Sequence, residues 1–79
     1  MIGMEWSVLE LLADGREYTV GEVMASTSTE RAHIERIRGA MQRLYERGYV
    51  DKRGRGLHFF RITEEGRDCL FARACGVLL

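Results

Sequence analysis

Two hydrophobic rhythms that no single element can carry meet at Gly48, and their junction constrains the fold more than any other feature of the chain. Before it, Ile34, Ile37, Met41, Leu44 and Tyr45 follow a 3,4,3 spacing and share one stripe of a helix. After it, "YVDKRGRGLHFFRI", residues 49–62, is a pair of β-leaning runs about a glycine-flanked tip. A helix over residues 30–47 must end before Gly48 and give way to a ribbon. The ribbon reads as strands Tyr49–Arg53 and Leu57–Ile62 joined by a tight Gly-Arg-Gly turn. Val50, Phe60 and Ile62 are placed toward the core, with Phe59 and Arg61 outward. The tip, Lys52-Arg53-Gly54-Arg55-Gly56, masses cations on a turn. That gains a fold little stability and points to an anionic partner.

The other elements are punctuated by glycine and by capping residues, since the chain has no proline. A first helix is expected over Met4–Ala13, with Trp6, Leu9, Leu12 and Ala13 on its apolar face and Glu5 and Glu10 outside. Asp14-Gly15 ends it, and "REYT" is a short extended connector. Thr19-Val20-Gly21-Glu22 fits a capping box opening a second helix, about Val20–Ala25, and Thr27-Ser28-Thr29-Glu30 fits another opening the third. Thr63 caps a fourth helix through "TEEG", which runs to about Ala74. Opposite the stripe of helix three lie Ala32, Arg36, Gly39 and Arg43. A glycine inside a helix costs about 1 kcal/mol relative to alanine. Two small residues among long arginines would let the helix backbone come close to a surface.

Seventy-nine residues make one small domain, 1–79, whose limited core favours oligomerisation. No apolar run approaches the roughly 20 residues of a membrane span, and "MIGMEW" lacks the basic start of a signal peptide, so a soluble cytoplasmic protein is expected. Cys69 and Cys75 with the distant His33 and His58 do not make a zinc site; reduced, largely buried thiols are expected instead. The charge is zero overall but unevenly distributed. Residues 1–30 carry one cation against six anions, a net of −5, whereas residues 31–61 carry nine cations against three anions, a net of +6. Arginine outnumbers lysine eleven to one, which suits bidentate contacts to phosphate or guanine.

The order helix, extended piece, helix, helix, hairpin, helix resembles the winged helix–turn–helix family, including its small PadR-like and MarR-like regulators. The likeness rests on "MQRLYERGYVDKRGRGLHFFRITEEGRDCL" and covers about residues 4–75. Within it, Met41-x-x-Leu44-x-x-x-Gly48-x-Val50 is similar to a recognition helix entering a wing. Phe60 to Arg67 is similar to the wing's return strand capped into the last helix. The fold implied is α+β, a three-helix core with a β-hairpin wing and a C-terminal helix. The resemblance implies that helix three enters the major groove of double-stranded DNA while wing 49–62 lies on the backbone or minor groove.

On that basis the chain reads as a sequence-specific transcriptional regulator. A homodimer is expected, formed through the first helix, the apolar C-terminal end, or both. The basic segment covers the same two elements. Arg36 and Arg43 are candidates for base edges, Gln42 a lesser one, and Arg31 and Arg38 belong to the same cationic helix. Lys52, Arg53 and Arg55 are candidates for phosphate, and Thr27, Ser28 and Thr29 for hydrogen bonds to phosphate at the helix start. No cofactor is implied. Neither histidine has a nucleophile at a motif spacing, and "GRG" sits on a hairpin rather than in a P-loop, so an enzyme is not expected. The alternative is a winged-helix protein–protein interaction module, a small phage or host adaptor that does not bind DNA. The acidic amino-terminal third and an exposed Phe59 favour it.

Overall fold

Helix α1 spans Gly3–Leu11 and tightens into a 3-10 turn at Leu12–Asp14, which closes on Gly15 in the left-handed region. Helix α2 follows at Val20–Ser26, α3 at Ile34–Glu46, strands β1 and β2 at Val50–Arg53 and Phe59–Ile62, and α4 at Glu64–Ala74. The structure, a computed structural model, describes residues 1, 3–27 and 34–76. The expected capping box beyond Thr27 therefore lies outside the described residues, as do Ser28, Thr29, Arg31 and Ala32.

The buried face of α1 is rotated from the one expected. Val8, Leu9 and Leu12 are fully buried, but the residue completing their 0, 3, 4, 7 stripe is Glu5, which is 1% exposed, while Ala13 is exposed and Trp6 half-buried. A count of apolar residues alone places a carboxylate outside. Here Arg43 of α3 and Arg47, just past its end, meet it and offset its loss of water. Helix α3 packs on both α1 and α2. It buries Ile37, Ala40, Met41 and Leu44, and the far end of the expected stripe, Tyr45, surfaces at 40% exposure.

Both local stops behave as their residue types predict. The Thr19 hydroxyl accepts from the Glu22 amide (3.1 Å), and the Glu22 carboxylate accepts from the Thr19 amide (3.0 Å). Gly48 ends α3 at φ +80°. Its N–H donates to the Tyr45 carbonyl, and that of Tyr49 donates to the Leu44 carbonyl, the paired bonds of a Schellman stop.

Strands β1 and β2 pair antiparallel in the register Val50↔Ile62, Asp51↔Arg61, Lys52↔Phe60, Arg53↔Phe59. The connector adds a third rung, with the Tyr18 and Phe60 amides and carbonyls exchanging two 2.8 Å bonds. Val50, Phe60 and Ile62 are buried as expected. The turn differs from expectation: β2 starts at Phe59, so Leu57 and His58 join a five-residue loop, 54–58. Gly54 at φ +104° explains the wider bend. A Cβ there would stand 2.4 Å from the Leu57 carbonyl oxygen, and the Leu57 amide turns back to the Arg55 carbonyl. Phe59 is half-buried rather than exposed.

Thr63 joins the ribbon to α4. Its hydroxyl accepts from the Gly66 amide (3.1 Å) and donates to the Gly48 carbonyl (2.7 Å). Cys69 is buried as expected, whereas Cys75 is exposed, since the last turn of α4 leaves the core.

Candidate nucleic-acid interface

Three elements converge on one cleft. The first turn of α2 brings Val20, α3 brings Ile34, Arg38 and Gln42 at successive four-residue steps, and the ribbon brings Lys52, Leu57 and His58. The cleft measures about 410 Å³. Apolar Val20, Ile34, Leu57 and Phe60 line it together with the cations Arg38 and Lys52. The Lys52 ammonium lies 3.4 Å from the Gln42 side-chain oxygen and 4.7 Å from the centroid of the Tyr45 ring. Arg38 is tied to Glu35 one turn earlier at 2.8 Å, a surface pair that water and salt loosen readily.

The opposite flank of α3 holds Arg36 and Arg43, which open on a second concavity beside Gly3 and Met4 at the start of α1. The two arginines are not equivalent. Arg43 donates to Glu5 at 2.6 Å and shares that carboxylate with Arg47 at 3.5 Å. Gly39 leaves room for this: a Cβ there would lie 3.2 Å from the Arg43 guanidinium. Arg36 is exposed and makes no ion pair among the described residues. Helix three therefore divides its cations between two flanks instead of presenting them on one.

The ribbon divides its cations too. Along a strand, neighbours point to opposite faces. Lys52 turns toward α3, while Arg53 turns to the outer face and donates twice to Glu17 of the connector, at 2.5 and 2.8 Å. Arg55, in the loop, is exposed and unpaired among the described residues. Thr27 ends α2, its hydroxyl donating to the Met24 carbonyl.

No protein-family model and no curated protein matches the sequence. Solved structures do match. BpsR of Bordetella bronchiseptica, whose DNA binding is regulated by 6-hydroxynicotinic acid, superposes with a TM-score of 0.82 over 94% of this chain and 53% of its own, at 20% identity. The transcriptional regulator PA4135 does so at 0.77 over 94% and 55%, at 18% identity. The homodimeric winged helix–turn–helix DNA-binding domain of Mycobacterium bovis Mb0332, a possible ArsR-family transcriptional regulator, does so at 0.72 over 94% and 68%, at 25% identity. The fold is the winged helix–turn–helix. The chain spans about half the length of the first two proteins.

In winged-helix terms, α2 and α3 are the helix–turn–helix pair and β1, the loop and β2 are the wing. Of the residues singled out from sequence, the cleft gathers Arg38, Gln42 and Lys52. Arg36 and Arg43 lie on the other flank, and Arg53 and Arg55 lie beyond the cleft on the wing. Sequence reasoning missed Glu5 and Glu17, the two acids that hold Arg43 and Arg53. Glu5 was detectable, because it completes the spacing of Val8, Leu9 and Leu12. Nothing local marks Glu17, whose partner is 36 residues away.

Proposed function

We propose that this winged helix is a sequence-specific double-stranded DNA-binding transcriptional regulator. Helix α3 lies in the major groove and the wing runs along the backbone or minor groove. The observation that carries the reading is the convergence of Arg38 and Gln42 with Lys52 on one cleft between α3 and wing. Arg38 and Gln42 are the side chains suited to guanine and adenine edges, and Lys52 with Arg55 suits phosphate. A helix in a major groove also offers its second flank, which gives Arg36 a contact. Arg31, Ser28 and Thr29 belong to the same proposed surface by sequence. The assembly proposed is a cytoplasmic homodimer on a two-fold site, joined through α1, the apolar C-terminal end, or both. Phe71 of α4 is 72% exposed, which supports that arrangement.

Selection from random duplexes at defined salt tests the reading. A preferred site of two-fold symmetry should emerge, bound with a log–log salt slope near −0.9 per phosphate neutralised. Lys52→Ala with Arg55→Ala should weaken all duplexes alike and flatten the slope. Arg38→Ala or Arg36→Ala should erode discrimination by about 1–3 kcal/mol. Unchanged affinity in all of these variants would refute the proposal.

The pairing of Arg43, Arg53 and Arg73 with Glu5, Glu17 and Glu10 favours a second reading, a protein-interaction module, because it lowers the free positive charge. Heparin separates the two. A DNA-binding surface should be retained at moderate salt, whereas a module of this kind should pass through.

A further inference from the structure

Strand β1 is the outer strand of the wing. The connector pairs with β2 from the other side, through Tyr18 and Phe60, so no backbone bond joins β1 to the connector. A two-stranded ribbon of four residues a strand has little stiffness of its own. The loop it carries, 54–58, holds Arg55. One contact crosses the full width of this small sheet. Arg53, the last residue of β1, reaches past its register partner Phe59 to Glu17. Both pairs of atoms are in contact, Nε to one carboxylate oxygen at 2.5 Å and Nη2 to the other at 2.8 Å. This fork-to-fork geometry fixes orientation as well as distance. It also uses the two donors with which the guanidinium would otherwise grip a phosphate side-on.

We infer that Glu17 and Arg53 form a positioning pair. The pair braces the wing against the connector that leads into α2, so that Lys52 and Arg55 meet DNA at a fixed reach from α3, and Arg53 is not itself a phosphate ligand. The inference rests on the DNA reading proposed above. It departs from the sequence expectation at Arg53, a cation on a glycine-rich tip that the fold turns to the outer face and ties to an acid.

The full chain tests this against a duplex recovered by the selection described above, with binding measured across a salt series. Glu17→Gln and Arg53→Gln should each weaken binding by about three- to fivefold, the upper scale of one well-oriented exposed pair, with the salt slope unchanged. The swap Glu17→Arg with Arg53→Glu should restore affinity to within about twofold, because a brace works in either polarity. In the DNA-free protein, amide exchange at Tyr18 and Phe60 should accelerate in Glu17→Gln and return to normal in the swap.

Three results would overturn the inference. One is a Glu17→Gln that binds as before or more tightly. Another is an Arg53→Gln that loses a slope of about 0.9, the mark of a lost phosphate contact. The last is a swap that fails to rescue. Failure of the DNA reading looks different: Lys52→Gln and Arg55→Gln leave duplex affinity intact, while amide exchange still reports the brace.

Discussion

Glu5 carries a charge into the core of a small protein, and the two arginines that hold it remain half-exposed, at 45% and 44%. The asymmetry predicts what substitution does. Glu5→Ala leaves a hole between α1 and α3 and removes the acceptor, and should cost about 1–3 kcal/mol. Glu5→Met fills the space without a charge, while the freed guanidiniums turn to water, so it should cost far less. Denaturant unfolding of both variants checks the order. At the connector, the Tyr18 phenol donates to Asp14 at 2.5 Å and the Arg16 amide donates at 2.9 Å. These bonds, the phenol first, hold the Asp14 carboxyl below its ordinary 3.8, and the same contact raises Tyr18 above 10.0. A lowered carboxyl stabilises the fold fully above its unfolded value and loses that contribution as pH falls through the folded one. The raised phenol loses its contribution as pH climbs through its own. Asp14→Asn should therefore lower Tm modestly at neutral pH, where that contribution is fully present, and so flatten the acid limb of Tm against pH below about pH 4.

Among the elements, α4 depends on one close approach. A Cβ on Gly66 would lie 2.2 Å from the Tyr49 carbonyl oxygen and 2.8 Å from Ile62 Cγ1. The first turn of α4 rests directly on the base of the wing. Gly66→Ala raises helix propensity yet should destabilise by about 1–3 kcal/mol through overpacking, lowering Tm by roughly 4–8 °C per kcal/mol in a domain of this size. A variant as stable as the parent would show that α4 can slide. Much of this level was legible in the sequence. The Thr19–Glu22 box, the Gly48 stop, the Thr63 cap and the inward Val50, Phe60 and Ile62 all follow from bonds or alternation spanning a few residues. The loop length was not legible, because "GRG" suits a tight turn equally well and the wider bend depends on how Leu57 folds back over Gly54.

For the molecule as a whole, acids of the amino-terminal third are folded onto arginines of the basic middle and of α4. Glu5 meets Arg43 and Arg47, Glu17 meets Arg53, and Glu10 meets Arg73, whose guanidinium also covers the Trp6 ring at 4.3 Å. The uneven charge of the sequence thus becomes a set of struts, and the cations left over are spread out: Lys52 at the cleft, Arg55 on the wing loop and Arg36 on the other flank of α3. Covering Trp6 shifts the apolar surface toward Phe71, so Phe71→Asp should convert a dimer to a monomer in sedimentation velocity; a change of assembly only on altering α1 would assign the interface there. The sequence by itself determined the elements, their stops and the inward face of the ribbon, because those depend on periodicity and short-range hydrogen bonds. Tertiary structure alone decided which arginines are free. An arginine's availability depends on whether packing brings a carboxylate within about 3 Å of it, and at Arg43 and Arg53 those carboxylates come from distant parts of the chain.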